Sequence, residues 1–422
     1  MEPFHAIKGT TDILPGEIEL WQMIEGVVRK WMTRFGCEEI RTPVFEETRL
    51  FARSIGDDTD IVGKEMYTFT DMGGRNIALR PEGTASVIRA FIEHSLDQRG
   101  LPQSLWYMGP MFRQERPQKG RHRQFHQFGL EIIGSSHEIT DAEVILLFDY
   151  IAQDLGLENR EFTVNFIGCR ESRERYKTEL VTFLDRVENL LCPDCRRRKT
   201  TNPLRVLDCK VPECRKAVHE SGELPRITDS LTLEDAASYD LLKDHLRNNG
   251  IALVEDPFLV RGLDYYTGIV FEMNRPELGA QSAIMGGGRY DGLVRELGGP
   301  DLPAVGFACG MERLILAMQG KGKVLSGTPQ DKTFVVIPPD KDGYITAINH
   351  IGKLRRQGHI ALVDYLRRSV KAQMRAASKS GARYALFVGQ DVNLVDVRDM
   401  EHSTQEQMTF EAFLGLLDES KG

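Results

Sequence analysis

Arg113, Glu115, Phe125, Gln127 and Glu131 lie in the segment FRQERPQKGRHRQFHQFGLE (residues 112–131), spaced so that one surface can collect them. Side chains of a strand alternate between its two faces. If residues 107–115 form a strand, Arg113 and Glu115 share a face with Tyr107, Gly109 and Met111. If residues 124–132 form its partner, Phe125, Gln127, Gly129 and Glu131 share a face. Pairing the two gives a surface of one guanidinium, two carboxylates, an amide and an aromatic ring, with a glycine leaving room. Between them Arg116, Lys119, Arg121 and Arg123 fall within eight residues that contain no acid. That run is the hairpin's loop, with Pro117 and Gly120 as turn residues. A solvated strand pair with ordinary surface charges is the alternative.

Complementary groups recur elsewhere. ALRPEGTAS (78–86) places Arg80, Glu82 and Thr84 at a helix start. Thr84 is expected to cap the helix entering at Ala85, and Glu82 to reach a nearby cation; a helix cap and nothing more is the plainer reading. LVRGLDYYTG (259–268) offers Arg261, Asp264, Tyr265 and Tyr266 beside two glycines. Tyrosine packs well in half-buried strands, but a guanidinium buried in so apolar a segment needs an anionic partner. GGGRYDGL (286–293) permits close backbone approach to a ligand, or a bulge. VGFACGMERLILAM (305–318) reads as a small-residue strand passing directly into a helix. Arg313, about one turn in, either pairs an acid structurally or meets a phosphate bidentately. Neither a dinucleotide fingerprint nor a P-loop occurs.

The elements that must position these groups follow from the rest of the chain. Its 422 residues predict two to four domains. An amphipathic helix is expected over residues 20–35, apolar at Trp21, Ile24, Val27, Val28 and Trp31. From about residue 168 to 250 the texture turns charged, helical and poor in strand signal, which predicts an insertion into one catalytic fold. KGKVLSGTPQ (321–330) reads as a linker. Beyond it, strand and helix alternate through TFVVIP, HIALVDY, a helix at 370–378 and YALFVG, a compact α/β domain of roughly 90 residues.

A net charge of −8 argues against indiscriminate coating of nucleic acid, yet residues 353–383 hold nine basic residues and one acid. On the helix at 370–378, Lys371, Arg375 and Lys379 follow at i, i+4 steps, a stripe able to track a phosphate backbone. Seven cysteines suit no complete disulfide framework. Four cluster, in CPDC (192–195) and CKVPEC (209–214), and are either a zinc site or reduced thiols of an accessory module. No basic-then-apolar leader and no run of about 20 apolar residues is visible, so a cytoplasmic protein without membrane contact is expected.

Together these segments resemble the class II aminoacyl-tRNA synthetases and, among them, the histidyl-tRNA synthetase family, over nearly the whole chain. Arg41-Thr42-Pro43 is similar to the family's dimer-forming motif 1, FRQE with its basic loop and QFHQFGLE to motif 2, and GFACGMERL to motif 3. RGLDYYTG and GGGRYDGL resemble the histidine-specific segments. The resemblance implies an α+β catalytic domain on an antiparallel sheet (1–168 with 252–325). It adds a helical insertion near the tRNA acceptor arm (169–251) and a C-terminal α/β anticodon-binding domain (326–422).

It also implies activation of L-histidine by ATP with Mg2+, releasing pyrophosphate, then transfer to the 3′ end of the tRNA for histidine, in a homodimer. By resemblance Arg113 holds the α-phosphate and the histidine carboxylate, and Arg261 is a second catalytic cation there. Glu115 contacts the adenine amino group and Phe125 stacks on the base. Arg121 and Arg313 take the outer phosphates. Glu82, Gly83, Thr84 and Gln127 surround the α-amino group, Glu131 and Tyr266 read the imidazole, and Tyr265 lines the pocket. No metal ligands are assigned among these residues. Lys8, where the family often has arginine, and Met285, where a smaller residue is common, depart from the pattern. Two rivals are a histidine-sensing paralogue that charges no tRNA and a nucleic-acid binding module with a vestigial nucleotide pocket.

Overall fold

The computed structural model describes residues 3–319, 332–336 and 341–419, except 57, 58, 60, 119, 159, 221, 222, 261–264, 276, 277, 279–281, 365, 367, 389, 390 and 392. It divides into two units, Met1–Leu325 and Ser326–Gly422.

The strands of the first unit are β1 (Glu38–Glu39), β2 (Phe45–Glu47), β3 (Thr68–Thr70), β4 (Asn76–Leu79), β5 (Gln103–Phe112), β6 (Gln124–Ile133), β7 (Glu161–Gly168), β8 (Ala252–Glu255), β9 (Gly268–Asn274), β10 (Ala283–Arg289) and β11 (Ala304–Gly310). Eight of them form one sheet in the order β1-β5-β6-β11-β10-β9-β7-β8. The six central strands pair antiparallel, and β1 and β8 add parallel edges. The order β2-β4-β3 makes a small separate sheet.

Alternation along β5 and β6 decides what each face of the large sheet holds. Trp106, Phe128, Leu130 and Ile132 point into a core with helices Ile18–Arg34 and Glu138–Asp154. The first of these helices buries Trp21, Ile24, Val28 and Met32, one face of a 3.6-residue period. Leu105, Tyr107 and Met111 point the other way, toward helix Thr84–Glu93 and the helices after β7. The register sets Tyr107 opposite Gly129, Gly109 opposite Gln127 and Met111 opposite Phe125. Gln127, Gly129 and Glu131 therefore share a face with Tyr107, Gly109 and Met111.

β5 stops at Phe112 and not at residue 115. The Arg113 amide still bonds Arg123 O at 2.9 Å, but the Gln114 amide goes to Glu65 O and the Arg123 amide to Gly9 O. Backbone donors drawn to other segments end the ladder.

Between β7 and β8 run helices Arg170–Arg186, Pro193–Thr201, Pro212–His219 and Leu233–Asn248, with no strand among the described residues. They form the crossover joining β7 to the parallel edge strand β8.

The second unit contains β12 (Lys332–Val336), β13 (Ile360–Val363), β14 (Tyr384–Val388), β15 (Leu394–Asp399) and β16 (Thr404–Thr409) in the order β13-β12-β14-β15-β16. The first three strands are parallel, as strand–helix alternation requires. The antiparallel pair β15–β16 and helix Phe410–Glu419 complete it, around a core that includes Val335, Leu354, Leu386 and Phe413.

Candidate active site

Glu82, Thr84 and Glu131 meet at the start of helix Thr84–Glu93. Thr84 does not cap that helix with its hydroxyl. The Glu82 carboxylate takes the role, accepting the Thr84 amide at 2.6 Å and the Ala85 amide at 2.9 Å. The first-turn amides would otherwise lack partners. The Thr84 hydroxyl is thereby released to donate to Glu131 Oε1 at 2.7 Å, and the Tyr290 hydroxyl donates to Glu131 Oε2.

Glu131 is 1% exposed and Glu82 5%. Burial pushes the Glu131 carboxyl up to about 8; the hydrogen bonds from Tyr290 and Thr84 oppose the shift, and the neighbouring Glu82 carboxylate adds to it. Burial also raises Glu82. Two carboxyl groups in one dry pocket are poised for a cationic ligand.

Glycines make room for this network. A Cβ on Gly83 would meet the Tyr107 ring at 2.2 Å, and one on Gly306 would meet Glu131 Oε2 at 1.9 Å. Tyr265 packs on Tyr266 and Tyr290, with ring centroids 4.8 and 5.4 Å apart. Gln127 Oε1 is buried with no hydrogen-bond partner. An acceptor left in that state costs free energy until something donates to it.

Along the same face lies a cleft lined by Arg113, Glu115, Arg121, Phe125, Gln127, Glu312 and Arg313 among others. The Arg113 guanidinium lies 5.4 Å from the Phe125 ring centroid, and its Nε donates to Pro81 O at 2.9 Å. Arg121 pairs with Glu115 at 2.5 Å. Arg313 donates to Ala283 O at 2.8 Å and to Gly120 O at 3.3 Å. One rim thus carries three guanidiniums and an aromatic ring, an arrangement suited to a base and its phosphates.

The structure gathers Arg113, Glu115, Arg121, Phe125, Gln127 and Arg313 in the cleft, joins Glu82, Thr84 and Glu131 in the buried network, and sets Tyr265 against Tyr266. Arg261 and Asp264 lie outside the described residues. Tyr290 was missed as a site residue, although it sits within GGGRYDGL. Glu312 was missed too: it accepts the His126 amide at 2.9 Å, faces His126 Nδ1 at 3.0 Å, and so ties the helix after β11 to β6. Arg80 proves structural, donating to Pro110 O and to Thr42 O at 2.9 and 3.0 Å, and thereby clamping Arg41-Thr42-Pro43 to β5.

A β5–β6 hairpin presenting Arg113, flanked by a strand that runs straight into an arginine-bearing helix, is the architecture of the class II aminoacyl-tRNA synthetases. Comparisons narrow the class. The family model described as histidyl-tRNA synthetase matches residues 9–172 and 200–314, and an anticodon binding domain model matches 333–420. A histidine–tRNA ligase of Fervidobacterium nodosum is 45% identical over 97% of this chain and 96% of its own, and one from Thermotoga maritima is 46% identical over 96% of each. The apo histidyl-tRNA synthetase of S. aureus superposes with a TM-score of 0.83 at 38% identity, covering 98% of this chain and all of that one. The chain belongs to the histidyl-tRNA synthetase family, and its activity is that of an ATP-using histidine–tRNA ligase. Among the described residues no helix is long and apolar enough to cross a membrane.

Proposed function

We propose the following division of labour in that reaction. Glu82, Gly83, Thr84 and Gln127 hold the α-amino group of L-histidine; Glu131 and Tyr266 read its imidazole nitrogens, with Tyr265 as a wall. Phe125 stacks on adenine, Glu115 contacts its amino group, and Arg121 and Arg313 take the outer phosphates. Arg113 and Arg261 converge on the reacting centre. A histidine carboxylate oxygen attacks the α-phosphorus and pyrophosphate leaves with the electron pair of the broken P–O bond. The terminal ribose hydroxyl of the tRNA then attacks the carbonyl carbon, loses its proton, and AMP leaves.

The observation that carries this reading is the single polar face. At one end lie the buried carboxylates and the orphan Gln127 Oε1; at the other lie the Arg121 and Arg313 guanidiniums; Arg113 stands between. Alignment and charge stabilisation are what such a displacement needs from a protein, and no protein nucleophile is required. Glu312 is the cleft carboxylate that would lie near a hard cation carried on the phosphates, Mg2+ by its preference for oxygen; the ion would supply charge neutralisation on the leaving pyrophosphate.

The domains divide the tRNA. Residues 1–168 with 252–325 catalyse, 169–251 approach the acceptor arm, and 326–422 read the anticodon. A homodimer is supported by apolar side chains left exposed beside the motif 1 segment, on the small sheet and in its β3–β4 turn, Val44, Phe45, Phe69 and Met72. A cytoplasmic setting agrees with seven unpaired cysteines. ATP–pyrophosphate exchange is the test. Exchange that depends on histidine supports the assignment, and exchange indifferent to histidine overturns it.

A further inference from the structure

The helical insertion contains a cluster that the ligase reaction does not use. Cys192, Cys195, Cys209 and Cys214 bring their four sulfurs within 4.8 Å of one another, and the last three are buried. Cys192 and Cys209 are 3.8 Å apart. A tetrahedral zinc with Zn–S bonds of about 2.3 Å sets its sulfurs about 3.8 Å from each other. A disulfide requires about 2.05 Å, and all four cysteines are unpaired.

Chain geometry prepares the site. Cys192 stands at the N-cap of helix Pro193–Thr201, with Cys195 in its first turn, and Cys214 lies in the first turn of helix Pro212–His219. Lys64, Arg198, Arg205 and Lys210, with Asp194 and Asp208, are among the described residues lining the cavity beside Cys192 and Cys209.

The local energetics call for a staple. These helices have nine and eight residues, and their only buried side chains are Cys195 and Lys199 in one, Cys214 and Val218 in the other. Isolated helices under about 12–15 residues are marginal in water, and one apolar contact does not anchor them. Small, core-poor modules are commonly held by a metal.

We infer that Cys192, Cys195, Cys209 and Cys214 form a structural zinc site that fixes residues 192–219 of the insertion. Binding converts four thiols to thiolates, releases four protons and forms four Zn–S bonds, with no change of oxidation state.

The test uses the full-length chain purified under reducing conditions. Elemental analysis is expected to find about one zinc per chain. Native alkylation should label exposed Cys169 while sparing the four clustered thiols until a chelator and denaturant are added. Replacement by cobalt(II) should give the visible bands of a tetrahedral thiolate site. The double variant Cys195→Ser/Cys214→Ser should lose the metal and melt earlier, yet retain histidine-dependent exchange. If that variant does not fold, the wild-type zinc content and cobalt spectrum decide alone. Metal-free protein that takes up neither ion, free alkylation of all four thiols, or a mass showing two disulfides overturns the site.

Discussion

Thr84 Oγ1 donates to Glu131 Oε1 at 2.7 Å across 47 residues of sequence. The bond locks the helix start capped by Glu82 to the strand that carries Gln127. It places two buried carboxyl groups in one pocket and couples the end proposed for the amino group to the end proposed for the imidazole.

Selectivity should follow from Glu131. Sites built on hydrogen bonds reject analogues that lack the polar group far better than apolar pockets do. Glu131→Ala is expected to lower histidine activation by orders of magnitude while leaving ATP affinity nearly unchanged. Exchange kinetics with each substrate varied in turn check this; equal losses for both would count against the assignment.

The same residue predicts a pH dependence of stability. Its carboxyl has an ordinary value of 4.5 and rises to about 8 in the folded, ligand-free protein. Between those values the folded state binds more protons than the unfolded state, so stability falls as pH rises. The contribution is fully present below about pH 4.5 and lost through about pH 8. Glu131→Gln, which stays neutral, should flatten that part of the profile in denaturant melts recorded from pH 5 to 9.

Gly306 is predicted to tolerate no side chain. Its Cβ would stand 1.9 Å from Glu131 Oε2 and 2.4 Å from Leu130 O, and the latter is backbone. Gly306→Ala should cost about 1–3 kcal/mol, the usual penalty of overpacking, and also reduce histidine activation. Thermal unfolding and exchange assays together test it: a variant of native stability and activity would show that the strand yields freely.

Arg261 is expected to act on the reacting phosphate and not as scaffold. Arg261→Ala or His should reduce adenylation by roughly 3–4 kcal/mol of barrier, the scale of losing one electrostatic donor, with an unchanged melting curve. Near-normal exchange rates in either variant would sink the role.

The C-terminal unit should matter for tRNA and not for activation. Lys371, Arg375 and Lys379 are exposed along helix Val370–Lys379, one face of it. Deleting the residues after about 327 should spare histidine-dependent exchange and abolish most tRNA charging. Removing single stripe residues should lower the salt slope of tRNA binding by about one phosphate contact each. A folded truncation that charged tRNA as well as the whole chain would refute the assignment.

Local periodicity made much of this legible. Alternation at every second residue placed Phe125, Gln127, Gly129 and Glu131 on one face, and the β5–β6 register sets that face beside Tyr107, Gly109 and Met111. Apolar spacing identified helix Ile18–Arg34, and the passage of β11 into helix Met311–Gln319 was readable from small residues giving way to a helical pattern.

Pairings over long separations were not legible, because no periodicity encodes them. The Thr84 hydroxyl satisfies the helix-cap rule and Glu131 equally well on paper; only the approach of β6 to the helix start decides for Glu131. Tyr290 reaches Glu131 across 159 residues, brought there by β10 and β11 lying between β6 and β9. The end of β5 depends on Glu65 and Gly9 taking its neighbours' amides. Which groups share a strand or helix face follows from residue order, since backbone geometry fixes that locally. Which carboxyl is buried, which donor meets it, and therefore where its pKa lies, was decided by tertiary packing alone, because desolvation belongs to the assembled pocket and to no single segment.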